Sequence, residues 1–319
     1  MRYFYIALAE TKWLEDIFAK IKEYDDVLRG ARGIRVGVLI RYAKWRRVCI
    51  PCKLAEAYDV PLFVDNGAFE FLSKSDLEER ELPMDKLRRW VYDYARWLST
   101  WHNYVTAAAL PDVPVHGADF LPADVRLERI VLTNKLHLMA ARLLRRSGAL
   151  GKTIIVIQGF EVHEYQLSAS LNLTPELVET CTLSGGCPYR GIVGVGSVCV
   201  RKPSAKGKTA LLAGGRAAGT LRGFMHGFLS ARWPREIRGF HFFGLHTDAV
   251  RAFAMHERYF ASDTGAHGLN YKYKWRTFLG CSELDKQCYV RAIEDQLRRT
   301  LAPLLNASLT GPAASQTAL

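Results

Sequence analysis

The sequence predicts an α/β protein, a single-domain (β/α)₈ TIM barrel carrying a basic loop insertion and a short disordered C-terminal tail. Three observations carry that prediction: eight strand-like runs, helical patterns between them, and a chain of 319 residues, a length such barrels take. Most of the runs are continuously apolar, as parallel strands covered on both faces are. An open doubly wound sheet is the competing architecture, but no glycine fingerprint follows the first run.

In order, the strand-like runs are YFYIAL from Tyr3, IRVGVLI from Ile34, LFVDN from Leu62, YVTAAAL from Tyr104, TIIVIQG from Thr153, GIVGVGSV from Gly191, GFHFFGL from Gly239 and YFASD from Tyr259. Each is rich in β-branched or aromatic residues or is continuously apolar. The clearest helical patterns run from Met84 to Thr100, Val125 to Gly148 and His246 to Arg258. The second ends on arginines and a glycine, as helix C-termini do. The segment Lys202 to Arg222 is rich in Gly, Ala and cations and reads as a mobile loop. One barrel domain over 1–306 is followed by a tail over 307–319 of small and polar residues.

A hydrophobic content of 49% with 24% charged residues supports a sizeable core. The 44 Lys+Arg exceed the 32 Asp+Glu by 12, a balance that suits a polyanionic partner or a solubilising surface. RYAKWRR (Arg41 to Arg47) and NYKYKWRT (Asn270 to Thr277) interleave aromatics with cations, the combination that stacks unpaired bases and contacts phosphates. No apolar run reaches the roughly 18 residues of a membrane span. The first residues lack a small-residue cleavage site, so the expected location is cytoplasmic with no membrane partner. Seven scattered cysteines read as reduced thiols. CIPC (Cys49 to Cys52) could join Cys281 and Cys288 around zinc, but the second pair has the wrong spacing for a ribbon. Ordinary thiols and no metal cofactor are therefore favoured.

Chemistry in a barrel of this type sits where the strands end. Asp65 ends the third run, Asp112 follows the fourth, and Gln158 with Gly159 ends the fifth. Gly194, Val195 and Gly196 close the sixth, His246 follows the seventh and Asp263 closes the eighth. A single strand-end aspartate also serves as a turn or helix cap. Three on one rim point to a site. AKGKT lacks the first glycine of a phosphate-binding loop, VHEYQ is not H-E-x-x-H, and no G-x-S-x-G elbow occurs. His163, His241 and His256 read as structural.

The order of these motifs resembles the tRNA-guanine transglycosylase superfamily. VDNGAF is similar to its DSGGFQ-like element, LPDVP to its base-recognising aspartate, VIQG to its VQG element and GIVGVGSV to its GGLAVGE-like turn. GFHFFGLHT is similar to its HYLMGVG-like strand, and FASDTGAHG falls where it keeps a nucleophilic aspartate. The tRNA-acting members carry a C-x-C-x2-C…H zinc element that this chain lacks, and SDTGAHG looks closer to the DpdA-type branch that places 7-deazaguanines in DNA.

The resemblance implies base exchange, in which guanine in DNA is replaced by a 7-deazaguanine, such as the 7-cyano base, through a covalent aspartyl intermediate. It implies Asp263 as nucleophile and Asp65 as proton shuttle. Asp112 would accept hydrogen bonds from the guanine edge, with Gln158, Gly159, a backbone N–H of Gly194 to Gly196, and His246 completing the base pocket. Lys272, Lys274, Trp275 and Arg276 would hold the extruded strand or form a solvated basic loop. An accessory ATPase could open the duplex. The alternatives are a tRNA-guanine transglycosylase without the zinc element and a non-catalytic barrel that binds nucleic acid.

Overall fold

The structure, a computed structural model, describes residues 2–8, 12–72, 74–116, 120–184, 187–198, 221–245, 247–264 and 286–306. Eight strands alternate with helices: β1 (Arg2–Ala7), α1 (Leu14–Arg32), β2 (Ile34–Arg41), α2 (Ile50–Tyr58), β3 (Leu62–Asp65), α3 (Met84–Trp101), β4 (Ala107–Ala109) and α4 (Ala123–Leu144). Then follow β5 (in two pieces, Thr153–Ile154 and Val156–Ile157), α5 (Val162–Asn172), β6 (Ile192–Val195), α6 (Leu221–Ser230), β7 (Gly239–Phe242), α7 (Thr247–Phe253), β8 (Tyr259–Thr264) and α8 (Lys286–Asn306). Short helical turns lie between some of them.

All strand pairs are parallel, and each strand neighbours the next in sequence. The ring is completed in two places. β8 pairs with β1, setting Asp263 beside Tyr5. The first piece of β5 pairs with β4 and the second with β6. β5 is interrupted at Ile155 because its N–H goes to the Thr182 hydroxyl at 3.0 Å, and that hydroxyl donates to Ile192 O at 2.7 Å. Barrel topology is therefore what the continuous apolar runs and their helical partners built.

Side-chain alternation divides the core. Tyr3, Tyr5, Leu39, Phe63, Ile154 and Ala261 belong to an inner cluster, whereas Phe4, Val38, Val64 and Phe240 pack in the outer one against the helices. Because the period is two, the residue two positions past an inner residue also faces the lumen. Phe63 leads to Asp65, Val156 to Gln158 and Ala261 to Asp263. Polar groups of three strands thus reach one end of the barrel.

Some expectations need correction. The fourth strand begins at Ala107, not Tyr104, because residues 102–104 form a 3₁₀ turn after α3. Cys49 is bonded to Cys52 and Cys181 to Cys187, against the expectation of reduced thiols. The C-x-x-C spacing across the start of α2 brings Cα atoms to 5.3 Å, and those of Cys181 and Cys187 lie 5.5 Å apart, both within bridging range. Leu221 and Arg222 open α6, while 202–220 and the tail over 307–319 lie outside the described residues. Among the described residues, no helix is long and apolar enough to cross a membrane.

Candidate active site

Asp65 ends β3 and is followed by a backbone turn that only glycine adopts easily. Gly67 has φ 74°, and its N–H reaches back to Asp65 Oδ1 at 3.3 Å. Asn66 is buried between them in sequence. Its Oδ1 accepts from Ala68 N at 3.0 Å, which turns Nδ2 toward Leu110 O at 2.9 Å and toward Asp112 Oδ1. Two side chains of α3 fix this rim from outside. Trp90 donates to Asn66 O at 3.1 Å and Tyr94 to Ala109 O at 2.7 Å.

Asp112 is buried on the loop leaving β4 and is held from both sides. One oxygen accepts from Asn66 Nδ2 and the other from Gln158 Nε2. Gln158 in turn accepts from Ser197 Oγ at 2.6 Å, so its carboxamide can point only one way. Ser197 sits at φ 58°, a left-handed conformation that a non-glycine residue rarely takes. The next residue of the Asp112 loop is anchored as well, Val113 N donating to Thr133 Oγ1 at 3.0 Å.

The glycines have a role other than the one expected. Gly194 N and Gly196 N donate to Ile155 O at 2.8 Å and Ile157 O at 3.0 Å, so both amides are occupied by the β5–β6 ladder. They offer no N–H to a ligand. Gly196 instead provides room: a Cβ there would overlap the Gln158 carboxamide. Gly159 likewise lets α5 approach, since a Cβ would lie 2.9 Å from the Tyr165 ring.

Asp263 is buried at the end of β8. Gly244 N, at the turn leaving β7, lies 3.2 Å from each of its carboxylate oxygens. His241, on β7, places Nε2 at 3.5 Å from Asp263 Oδ1. Its other nitrogen lies 3.2 Å from the Tyr189 hydroxyl, which is 3.0 Å from that of Tyr5. Sequence patterning read His241 as structural; tertiary register sets it against the carboxylate.

Asp65 feels the other two carboxylates. Burial, then Asp112 and Asp263, push the Asp65 carboxyl up to about 7, with Gly67 N–H and Arg41 opposing. Burial pushes Asp112 up to about 6, against the hydrogen bonds from Asn66 and Gln158 that favour its ionised form. A carboxyl group poised near neutrality can both give and take a proton, which a surface cap residue has no need to do.

The barrel mouth thus brings together Asp65, Asp112, Gln158 and Asp263, with Gly159, Gly194, Val195 and Gly196 as backbone around them. His246, Lys272, Lys274, Trp275 and Arg276 lie outside the described residues, as does Cys281. Among the described residues, no group of three or more His, Cys, Asp or Glu side chains is arranged to hold a metal ion. Asn66, Ser197, His241 and Tyr189 are the site residues that sequence reasoning did not assign. Only Asn66 left a signal, an Asn-Gly pair directly after a strand-end aspartate. Compared with family models and with curated proteins, the chain matches none.

Proposed function

We propose that the chain is a transglycosylase that exchanges guanine in DNA for a 7-deazaguanine. The observation that carries this reading is the convergence of Asp65, Asp112 and Asp263 on one mouth, with the first pushed to about 7 and the second clamped by two carboxamides. Asp263 Oδ2 attacks C1′ of the sugar as the bond from C1′ to the purine breaks, and the bond pair leaves with the purine. Asp65 gives the departing base its proton. In the second half the incoming deazaguanine returns a proton to Asp65, its ring nitrogen bonds C1′, and the ester bond to Asp263 breaks, restoring the carboxylate.

Asp112 reads the donor edge of the base. With one hydrogen bond on each oxygen from Asn66 and Gln158, each oxygen keeps a further lone-pair site for N1–H and the exocyclic amine. Gln158 retains a second N–H for the O6 acceptor. An adenine-like edge would leave these buried groups unpaired, which sites of this type reject strongly.

The net charge of +12 suits a polynucleotide, and part of the basic-aromatic cluster forms a surface cavity of about 320 Å³ lined by Tyr42, Arg46, Arg47, Arg96, Trp97 and Trp101 together with Asp93 and Thr100. Radiolabelled guanine supplied with duplex DNA, single-stranded DNA or unmodified tRNA tests the proposal. Label entering DNA is the expected result. Label in tRNA alone transfers the reading to a tRNA substrate. Absence of label from all three, with Asp65→Asn and Asp263→Asn binding polynucleotide as the parent does, replaces it by a non-catalytic binding barrel. On a denaturing gel, Asp263→Asn loses the covalent enzyme–polynucleotide adduct; an adduct at parental yield removes Asp263 from the chemistry.

A further inference from the structure

We infer that His241 is a positioning residue for Asp263, donating Nε2–H to Oδ1 and leaving Oδ2 as the oxygen that faces the reacting carbon. The inference rests on the nucleophilic reading of Asp263, but the contact it describes is independent of turnover.

His241 is fully buried on β7, paired in register with Ala261 two residues before Asp263. Its ring stacks on Phe63 with centroids 4.4 Å apart and 27° between planes, and meets Phe243 at 4.7 Å. These contacts fix the plane of the imidazole, and hence the direction in which each nitrogen points. Nδ1 faces Tyr189 at 3.2 Å. Nε2 is buried, makes no hydrogen bond among the described residues, and lies 3.5 Å from Asp263 Oδ1. A buried ring nitrogen with no partner is costly, and hydrogen bonds at active sites are often long before substrate closes them.

Burial holds the imidazole neutral, pushing its pKa below the ordinary histidine value against the opposing pull of Asp263. A neutral ring carries one N–H. If Nδ1 held it, the bare lone pair of Nε2 would face an anionic oxygen; if Nε2 holds it, the same pair of atoms attract. On the far side of the ring the Tyr189 hydroxyl donates to that of Tyr5 at 3.0 Å, so a proton on Nε2 requires the Tyr189 hydroxyl to turn and donate to Nδ1 instead. Burial pushes both phenols well above their ordinary pKa, so neither ionises in the working range of the protein.

The two oxygens of Asp263 are then unequal. Gly244 N lies 3.2 Å from both, but only Oδ1 also has the imidazole. Oδ1 is tethered and Oδ2 keeps its outer lone pair for C1′. His241 changes no protonation state during the reaction. Its part is to stop the carboxylate from rotating, and a misplacement of about 1 Å at a reacting atom costs about 10²-fold in rate.

Nitrogen-15 spectra of histidine-labelled protein at neutral pH test the tautomer, with the His241 resonances identified by their loss in His241→Phe. The expected pattern is a protonated Nε2 and a bare Nδ1 in the parent, with that preference lost in Asp263→Ala. A protonated Nδ1 in the parent overturns the inference, whether or not the chain transfers a base. In the adduct assay, His241→Phe should slow adduct formation about 10²-fold with deazaguanine affinity unchanged, and His241→Gln, which keeps an N–H donor, should recover most of the rate. A phenylalanine variant reacting at the parental rate, or a glutamine variant as slow as phenylalanine, overturns it as well. Adduct formation that survives in Asp263→Asn is a different outcome, which removes the nucleophile and not the tautomer.

Discussion

Replacing Asp65 by asparagine should make the protein more stable, by an amount that grows as pH rises above about 4 and levels off above about 7. In the folded chain this carboxyl keeps its proton up to about 7, whereas its ordinary value is 3.8. Between those values the folded state binds more protons than the unfolded one, so stability falls as pH rises through the interval. The penalty is absent below the lower value and complete above the upper one. A rise of this size corresponds to about 4 kcal/mol, and relaxation around a half-buried group reduces what is measured to about 2–4 kcal/mol. Asp65→Asn keeps the shape and removes the charge. Urea unfolding at about pH 4, 6 and 8 should show the variant and the parent equal at the acid end and diverging toward the alkaline end. Equal stability at every pH refutes the idea that burial and two neighbouring carboxylates crowd Asp65. A variant less stable at about pH 8 shows instead that attraction to Arg41 wins.

Two further outcomes follow from the shell around the mouth. Gly196→Ala should displace the Gln158 carboxamide from Asp112, costing about 1–3 kcal/mol and weakening deazaguanine binding in a titration; unchanged affinity would separate Gln158 from the base pocket. Arg126 forms a buried ion pair with Glu164 at 3.0 and 3.1 Å from Nε, and Glu164 also accepts from Phe160 N at 2.6 Å, two residues after Gln158. Arg126→Ala should cost about 3 kcal/mol at neutral pH. Burial raises the Glu164 carboxyl, but Arg126 and the N–H groups of Phe160 and Glu161 together outweigh it and hold the net value below the ordinary range, so the loss should shrink as pH falls through that lowered value. A loss that is independent of pH refutes the pairing as its cause.

Sequence by itself determined the barrel and the rim on which its polar residues gather. Apolar runs of strand length, separated by helical patterns, leave few other ways to cover both faces of a parallel sheet. The two-residue period then sends Asp65, Gln158 and Asp263 to the same end as the inner residues that precede them. Helix limits were legible where amphipathic patterning was strong, as in α3, whereas α4 runs from Ala123 to Leu144 and not from Val125 to Gly148. They were less so at β4, where the Ala107–Ala109 strand carries only small residues and Tyr104 looks like strand although it turns.

What only tertiary structure decided is which groups meet across strands. That Asn66 and Gln158 grip the two oxygens of Asp112 depends on the register between β3, β4 and β5, which no local pattern encodes. The same holds for His241, whose ring nitrogens face Asp263 of β8 and the Tyr189 turn, about twenty and about fifty positions away. Cysteine pairing was missed for another reason: both bridges are local, three and six residues apart, and such spacings fit free thiols as well. Local chemistry placed each residue on its strand; the closure of the ring gave those residues their partners, because hydrogen bonds and carboxylate repulsion act over a few ångströms whatever the separation along the chain.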